Sequence, residues 1–311
     1  MTSVFLNGKL LDRDEARVSA FDAGLQHGVG LFETMDATGP GDPEGDPAGV
    51  RVRRLEEHLD RLSDSAAALG LSEDVRTGPL GDAVKLVVAR SGLTRARVRL
   101  TLTGGDLNLL QSTGRSKHTP TVLIQAQPST AYPEAMFERG VAVCIADAKA
   151  NPLDPTAGHK TINYWWRLRE LQRAAVKGAG EAIVFQVTNH VCGGCVSNLF
   201  VVKDGTLITP IAQGEEKSKD GKVAMPSPVL PGVTRGEIIE IAADMRVGCD
   251  RRMLSIDDVL DADEVFLTNS SWGVLPVVKV EAEAIAGGTV GELTRTLRER
   301  WLRAGDSLGV G

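Results

Sequence analysis

Two tight hairpin turns constrain the fold of this 311-residue chain more than any other local feature. The first is Asn7-Gly8, which separates the apolar runs 4–6 and 10–11. The second is Asp204-Gly205, within the stretch LFVVKDGTLITP. Both dipeptides tolerate the positive φ angles of a primed two-residue turn. The sequence therefore predicts a β-hairpin in each half of the chain.

Amphipathic helices are predicted between strands of this kind. Leu55, Leu59 and Leu62 recur at helical spacing, and Gly70 stands where a C-terminal cap is expected. The same reasoning predicts helices near residues 80–90, 164–177, 255–260 and 293–301, and strands at residues 97–103, 121–128, 140–148, 182–188 and 265–271. Helices and strands are thus mixed along the chain, which favours an α/β fold.

A linker is predicted at PSTAYP, where two prolines bracket small polar residues. Two polar segments, 36–49 and 213–222, are predicted as surface loops because they have little apolar area to bury. The linker gives the following division: a smaller amino-terminal domain over residues 1–127, the linker over 128–134 and a larger domain over 135–311.

Charge and composition narrow the classes of function. The formal net charge is -6, whereas nucleic acids and anionic lipids require clustered Lys and Arg. Four cysteines are too few for a disulfide scaffold, and no apolar stretch approaches the roughly 18 residues of a membrane-spanning helix. The amino terminus also lacks the features of a secretory signal. We therefore expect a cytoplasmic protein that binds neither nucleic acid nor membrane.

A capping-box pattern marks one candidate anion site. Thr234 and Glu237 precede an apolar periodic run, which predicts that a helix begins at Thr234. The free amides of such a helix start bind anions, and the preceding Pro231-Gly232 permits close approach by a phosphate. A capped helix without any ligand is the alternative interpretation.

Lys160 and Tyr164 form a second candidate pair. They lie four residues apart at the start of a predicted helix, which would bring an amine and a phenol to the same face. Such a pair could hold an imine and its phenolate-bearing partner. A solvated lysine beside a packing tyrosine is the alternative.

Metal and redox chemistry are less well supported. His190, Cys192 and Cys195 have a spacing that could ligate zinc, but no fourth ligand is nearby. Small residues packing a crowded turn is the favoured interpretation, and no metal is predicted. His58 lies on an apolar helix face and is predicted to be a core histidine with a hydrogen-bond partner.

Together, these features resemble the class IV (fold-type IV) pyridoxal-phosphate enzymes. This family includes branched-chain and D-amino-acid aminotransferases and aminodeoxychorismate lyases. The resemblance implies the two-domain α/β (α+β) fold of D-amino-acid aminotransferase, a pyridoxal 5'-phosphate cofactor between the domains and a homodimer. The matching stretches run nearly end to end: VFLNGKLLDRDEARVSAFDAGLQHGVGLFET, LEEHLDRLSDSAAALGL, HKTINYWWRLRELQRAAVKGAGEAIVFQ, SNLFVVKDGTLITP, LPGVTRGEIIEIA and DADEVFLTNSSWGVLPV.

The resemblance also assigns residues by position. It makes Lys160 the Schiff-base lysine and proton shuttle, and Tyr164 the donor to the phenolate oxygen of the cofactor. The residues implied to hold the phosphate are Arg61, Val233, Thr234 and Ser270. The residues implied to form the substrate pocket are His27 and Phe32 in its wall and Arg97 and Arg99 toward a carboxylate.

One position departs from the family pattern. Family members carry an acidic residue where this chain has Gly193, and that carboxylate pairs with the protonated pyridine nitrogen. A neutral pyridine is a poorer electron sink. Three alternatives stay open: a neutral donor such as Cys192 or Cys195 serves the nitrogen, a glutamate from elsewhere replaces the carboxylate, or the cofactor does little chemistry or does not bind.

The resemblance implies an amino-group transfer between an amino acid of the branched-chain type and a 2-oxo acid. Two alternatives remain. The segment TNSSWGVLPV is more similar to the aminodeoxychorismate lyase branch, for which Thr34 is a candidate hydroxyl. The Gly193 departure would also suit a degenerate binding protein of the same fold.

Overall fold

The computed structural model describes residues 3–106, 119–216 and 225–306. Over these residues the chain forms two compact units. The first unit contains residues 3–106, 119–130 and 159–163, and the second contains the remainder. The predicted loop 213–222 lies outside the described residues from position 217 onward. None of the helices in the described ranges is long and apolar enough to cross a membrane.

The first unit is built on an antiparallel sheet with the strand order β2-β1-β6-β5-β3-β4. Its strands are β1 (Ser3–Leu6), β2 (Lys9–Asp12), β3 (Gly30–Thr38), β4 (Arg51–Val52), β5 (Arg95–Thr103) and β6 (Thr121–Pro128). Its helices are α1 (Ala23–His27), α2 (Leu55–Ala68) and α3 (Thr77–Ser91), with a short 3-10 turn at Pro47–Gly49.

The core of the first unit lies where α2 and α3 meet the sheet. Leu62 of α2 and Val87 of α3 are buried in one cluster with Met35 of β3 and Val98 of β5. Burial of such side chains contributes about 1.5–3 kcal/mol each. The core therefore holds β3 and β5 rigidly, and both strands carry candidate site residues.

The second unit is built on a mixed sheet with the order β12-β11-β10-β13-β14-β7-β8-β9, and β15 pairs with β14. Its strands are β7 (Val141–Ala150), β8 (Glu181–Gln186), β9 (Val191–Gly194), β10 (Asn198–Lys203), β11 (Thr206–Thr209), β12 (Cys249–Arg251), β13 (Glu264–Asn269), β14 (Gly273–Val280) and β15 (Glu283–Ala284). Its helices are α4 (Ala135–Glu138), α5 (Trp165–Val176), α6 (Val233–Asp244), α7 (Ile256–Leu260) and α8 (Glu292–Asp306).

Separate apolar clusters attach the helices of the second unit to its sheet. Phe200 and Phe266 stack with their ring centroids 4.9 Å apart, in a cluster that also buries Ile238 of α6 and Leu297 of α8. Ala174 of α5 is buried in another cluster, beside β7 and β8. These clusters attach α5 and α6 to the sheet, and further candidate residues lie near the amino-terminal ends of both helices.

The mixed α+β architecture confirms the predicted fold class, and both predicted hairpins are present. Asn7 and Gly8 have φ values of 48° and 87°, and Asp204 and Gly205 have 49° and 71°. The predicted loop 36–49 is shorter than expected because β3 continues to Thr38, where it pairs with Arg95 of β5.

Candidate active site

Lys160 is held by backbone pairing with β3 in the first unit. The Phe32 amide donates to the Lys160 carbonyl at 2.9 Å, and the Ile162 amide donates to the Gly30 carbonyl at 3.0 Å. Leu31 and Thr161 form an isolated antiparallel bridge between these two bonds. The segment therefore acts as a short extra strand, and its backbone fixes the start of the lysine side chain.

The prediction that Lys160 and Tyr164 share a helix face is wrong. The helix α5 begins at Trp165, and Tyr164 is its N-cap. Lys160 precedes the helix and pairs with β3 instead, so the i,i+4 geometry of a helix does not apply. The pairing with β3 comes from residues about 130 positions earlier in the chain. A helical pattern in the local sequence does not show that a distant strand pairs with the same residues.

Two cationic side chains contact the ring of Phe32. Lys160 Nζ lies 4.3 Å from the centroid of the Phe32 ring, and Arg99 Cζ lies 3.8 Å from the same centroid. The ring itself is 5% exposed. Cations over an aromatic face are attracted by its quadrupole. The Lys160 amine and the Arg99 guanidinium are therefore both held against the Phe32 ring.

Arg97 and Arg99 share one face of β5 because Val98 between them points into the core. Arg97 donates to the Gln127 side-chain oxygen at 2.8 Å. His27 is exposed and is the last residue of α1. The predicted substrate residues thus divide into a pair on β5, a ring on β3 and an exposed imidazole on α1.

Arg61 forms a buried ion pair that sequence analysis missed. Its Nε donates to Glu33 Oε1 at 2.9 Å, and its Nη2 donates to Oε2 at 2.6 Å. His58 Nδ1 lies 2.7 Å from the same Oε2. Burial opposes ionisation of Glu33, but Arg61 and His58 outweigh it and lower the carboxyl pKa to about 2.

His58 itself is 2% exposed and has this partner, which confirms the predicted core histidine. Burial lowers the pKa of His58 although the Glu33 carboxylate opposes the shift. A sequence signal for the network did exist. Glu33 lies on the same face of β3 as the buried Leu31 and Met35. A carboxylate on an apolar strand face requires a partner.

The amino terminus of α6 is a donor site without a side-chain cap. The helix begins at Val233 after Gly232, and the N-cap glycine has no side chain that could accept from its first amides. Thr234 Oγ1 lies 3.5 Å from Ser270 Oγ. A Cβ atom on Gly232 would lie 1.9 Å from Asn198 Oδ1, so a side chain at this position would require the Asn198 side chain to move. Two amides and two hydroxyl groups therefore face the same region.

The predicted capping box at this helix is wrong. Thr234 lies inside the helix and Gly232 is the N-cap, so the Thr234 hydroxyl is too late in the chain to cap it. The Glu237 carboxylate accepts a hydrogen bond from Trp301 Nε1 at 2.8 Å instead. A long-range partner in α8 has replaced the local one.

Gly193 has a backbone that disfavours any side chain. It lies in β9 with φ 144°, and a Cβ atom there would lie 2.7 Å from the Ser197 carbonyl oxygen. Most L-residues avoid that φ. A carboxylate at this position therefore requires a shift of the backbone, not only a substitution.

The two cysteines beside Gly193 are buried thiols. Cys192 lies within β9, and Cys195 lies in the bend after it. The prediction of a crowded turn therefore holds for Cys195 but not for Cys192. Burial raises the pKa of Cys192 to about 12 and raises that of Cys195 further, so both stay protonated. In the described part of the chain, no three His, Cys, Asp or Glu side chains group to hold a metal ion.

Glu181 holds the bend that follows Gly193. Its Oε1 accepts from the Ala182 and Cys195 amides at 3.0 and 3.2 Å. Its Oε2 accepts from the Val196 amide at 3.3 Å and from Ser197 Oγ at 3.2 Å. Burial raises the pKa of this carboxyl although these donors oppose the shift. A glutamate opening the buried strand EAIVFQ was the signal for it.

Arg167 is a further residue that sequence analysis missed. It lies in the first turn of α5, and its Nη1 donates to the Cys195 carbonyl at 2.9 Å. Its Cζ lies 4.5 Å from the Trp166 ring centroid and 5.6 Å from that of Tyr164. Arg167 is half-buried. The arginine therefore lies between Tyr164 and the bend that follows Gly193.

Comparison with known proteins identifies the family. The class IV amino-transferase family matches residues 30–280. A relative described as a putative branched-chain-amino-acid aminotransferase of Methanocaldococcus jannaschii is 30% identical over 301 residues, covering 96% of this chain and 94% of the relative. The chain therefore belongs to the class IV aminotransferase family, as its sequence motifs indicated.

Two solved structures extend this finding. The T.th. branched-chain amino acid aminotransferase, solved with pyridoxamine 5'-phosphate, has a TM-score of 0.83 and 26% identity, covering 97% of this chain and 93% of its own. The 4-amino-4-deoxychorismate lyase of Pseudomonas aeruginosa has a TM-score of 0.77 and 27% identity, covering 96% and 98%. The chain is thus similar to enzymes of both reaction types.

Proposed function

We propose that this protein is a pyridoxal-phosphate-dependent transaminase that transfers an amino group between a branched-chain-type amino acid and a 2-oxo acid. The observation that carries the proposal is the placement of Lys160. Its backbone is paired with β3, and its amine lies over the Phe32 ring beside Arg99. A class IV aminotransferase requires a lysine amine held in this way.

The donor groups of the chain suit the cofactor. The start of α6 offers the Val233 and Thr234 amides, and the Thr234 and Ser270 hydroxyl groups lie beside them. Phosphate is favoured at such a helix terminus. Arg61 is assigned to the same phosphate, and the Glu33 carboxylate orients its guanidinium through Nε and Nη2. When bound, pyridoxal phosphate supplies an aldehyde for the lysine amine and a ring that withdraws electrons from the substrate α-carbon.

The residues of the chain then have distinct roles. The Lys160 amine would take the proton from the substrate α-carbon and deliver it to the carbon that is the aldehyde carbon of the free cofactor. The Tyr164 hydroxyl donates to the phenolate oxygen of the cofactor, and its position as the N-cap of α5 fixes that group. Gly193 would lie beside the ring nitrogen, at the position where the resemblance implies an acidic side chain.

Substrate binding is assigned to the face of the first sheet. Arg99, with Arg97 on the same face of β5, would bind the substrate carboxylate, because a guanidinium forms paired bonds with a carboxylate. Phe32 and His27 would form the wall for the apolar side chain. The branched-chain preference rests on the name of the M. jannaschii relative and on this apolar ring.

A lyase acting on 4-amino-4-deoxychorismate is the second candidate. It is supported by the similarity to the P. aeruginosa enzyme and by Thr34, which pairs in register with Arg99 on neighbouring strands. The Thr34 hydroxyl would thus act near the same carboxylate site. Consumption of 4-amino-4-deoxychorismate without an amino acceptor would favour the lyase over the transaminase.

We also propose that the protein is a cytoplasmic homodimer. Large apolar side chains are exposed in both units, with Phe21 at 71% and Leu25 at 69% in the first and Trp165 at 80% and Leu168 at 52% in the second. Apolar side chains that form a contiguous exposed patch are typical of protein–protein contacts. A second copy of the chain is the partner proposed for them.

The proposal is tested by replacing the lysine. Lys160→Ala should reduce transfer from leucine, isoleucine or valine to a panel of 2-oxo acids below detection, because the substitution removes both the proposed attachment point and the proposed base. Lys177→Ala, at an exposed position after α5, is the matched control and should retain activity. A Lys160→Ala protein with unchanged turnover would contradict the mechanism.

A further inference from the structure

Arg167, which has no carboxylate partner in the part of the chain that the structure describes, contacts the bend just after Gly193, the position where the family resemblance implies an acidic residue. Arg167 donates to the Cys195 carbonyl, two residues after Gly193, and its charge also acts on the thiol of Cys192, one residue before. Among the described residues, no carboxylate forms an ion pair with Arg167. A guanidinium has five N–H donors, so one bond to a carbonyl leaves most of them unused.

The other titratable groups around this segment are committed elsewhere. Glu181 accepts four hydrogen bonds from the bend over residues 195–197 and from Ala182. Glu170 accepts from the Asp147 amide and lies 3.7 Å from Arg173. The thiols of Cys192 and Cys195 are held neutral by burial, and the Cys195 side chain is fully buried in an apolar cluster.

We propose that Arg167 faces the ring nitrogen of the bound cofactor and keeps that nitrogen unprotonated. The inference rests on the proposed function, since it needs the cofactor ring to lie beside Gly193. A nearby cation disfavours the protonated form of a base, whereas a carboxylate favours it. An unprotonated nitrogen can accept a hydrogen bond from a guanidinium, so the arginine is also a positioning residue for the ring.

This arrangement inverts the electrostatics of the family site. The ring withdraws fewer electrons from the substrate α-carbon when its nitrogen is neutral. More of the catalysis then falls to the Lys160 amine as a base and to the groups that hold the substrate. The structure also explains why the change is more than a lost side chain. Gly193 has no room for a carboxylate, and a cation lies beside it.

The test uses the full-length protein loaded with pyridoxal phosphate that carries 15N in its ring. The 15N chemical shift reports directly whether the nitrogen is protonated, and a pH titration gives its midpoint. We expect an unprotonated nitrogen at neutral pH in the unsubstituted protein. In Arg167→Gln the midpoint should rise by about one pH unit or more, since a unit charge within a few ångströms shifts a pKa by that amount.

Two variants serve as controls. Arg167→Lys keeps the charge and should hold the midpoint low. Arg169→Gln, exposed on the same helix, should leave the midpoint and the activity unchanged. A nitrogen protonated at neutral pH in the unsubstituted protein, or an equal midpoint in Arg167→Gln, would overturn the proposal.

Folding failure of Arg167→Gln would not prevent a decision. With 15N-labelled arginine, the Arg167 side-chain signal, identified by its loss in Arg167→Lys, should shift when the cofactor binds. An unmoved signal overturns the contact. A protein that takes up no labelled cofactor contradicts the proposed function itself, whereas bound cofactor with a protonated nitrogen contradicts only the role of Arg167.

Discussion

Glu33 in the first unit and Glu181 in the second are both buried carboxyl groups on strands, yet their surroundings shift their pKa values in opposite directions. Glu33 is paired with Arg61 and His58, which lower its pKa to about 2 in spite of burial. Glu181 has only neutral amide and hydroxyl donors, and burial raises its pKa. A formal charge nearby, and not the number of hydrogen bonds, therefore decides whether these buried carboxyl groups stay ionised.

The same difference separates the candidate residues of the two units. The lysine segment and the Arg61 network of the first unit contain the charges that the family resemblance implies. The Gly193 segment of the second unit has a glycine where the family resemblance implies an acidic residue, and Arg167 contacts the carbonyl of Cys195, two residues after it. We therefore expect the first unit to supply the charges that the resemblance implies, and the second to alter the electrostatics proposed for the cofactor ring.

The largest effect on stability is expected for Glu33→Gln. The substitution leaves the Arg61 guanidinium largely buried without its counter-charge, and breaking a buried pair in this way costs about 3–5 kcal/mol. The free energy of unfolding, measured with urea at neutral pH, should fall by that amount. A loss below about 1 kcal/mol, the value of an exposed pair, would contradict the account.

The free energy of unfolding at acidic pH tests the same difference between the two glutamates. The folded-state pKa of Glu33 lies below its unfolded value, so its contribution is complete above pH 4.5 and is lost as the pH falls toward about 2. The loss over that window is about 3 kcal/mol. In Glu33→Gln this part of the slope should be absent, whereas Glu57→Gln, at a half-exposed acid on α2, should retain it.

A smaller effect is expected for Glu181→Gln. The glutamine amide keeps one acceptor but turns an NH2 group toward donors of the bend, and each unsatisfied group costs about 1–3 kcal/mol. The pH dependence should also differ in sign from that of Glu33. The raised pKa of Glu181 means that ionisation above pH 4.5 destabilises the folded state, and the glutamine variant should lose this decline. An unchanged profile in urea titrations between pH 4 and 8 would contradict the shift.

Local patterns predicted the framework of the fold well. The turns at Asn7-Gly8 and Asp204-Gly205, the face of α2 and the strand at 121–128 each depend on residues close together in sequence. The failures have a common physical cause. Thr234 and Glu237 have distant partners in Ser270 and Trp301 instead of the predicted cap.

The site was accessible from sequence only in part. Lys160, Tyr164 and the α6 terminus were named from motifs, and their roles in cofactor binding stay predictions. The Arg61–Glu33 pair spans 28 positions and the Arg167–Cys195 contact also spans 28, so neither follows from helical or strand spacing. Only the three-dimensional arrangement of the strands and helices shows which polar groups pair across such separations.

The most direct test of the central claim is to locate the cofactor on the chain. The purified protein is mixed with pyridoxal phosphate, its visible absorption spectrum is recorded before and after borohydride reduction, and any adduct is mapped by mass spectrometry. The account predicts a reducible absorption band and one modified peptide, with the added mass on Lys160. No band, or an adduct spread over exposed lysines such as Lys177, would contradict it and favour a cofactor-free binding protein of the same fold.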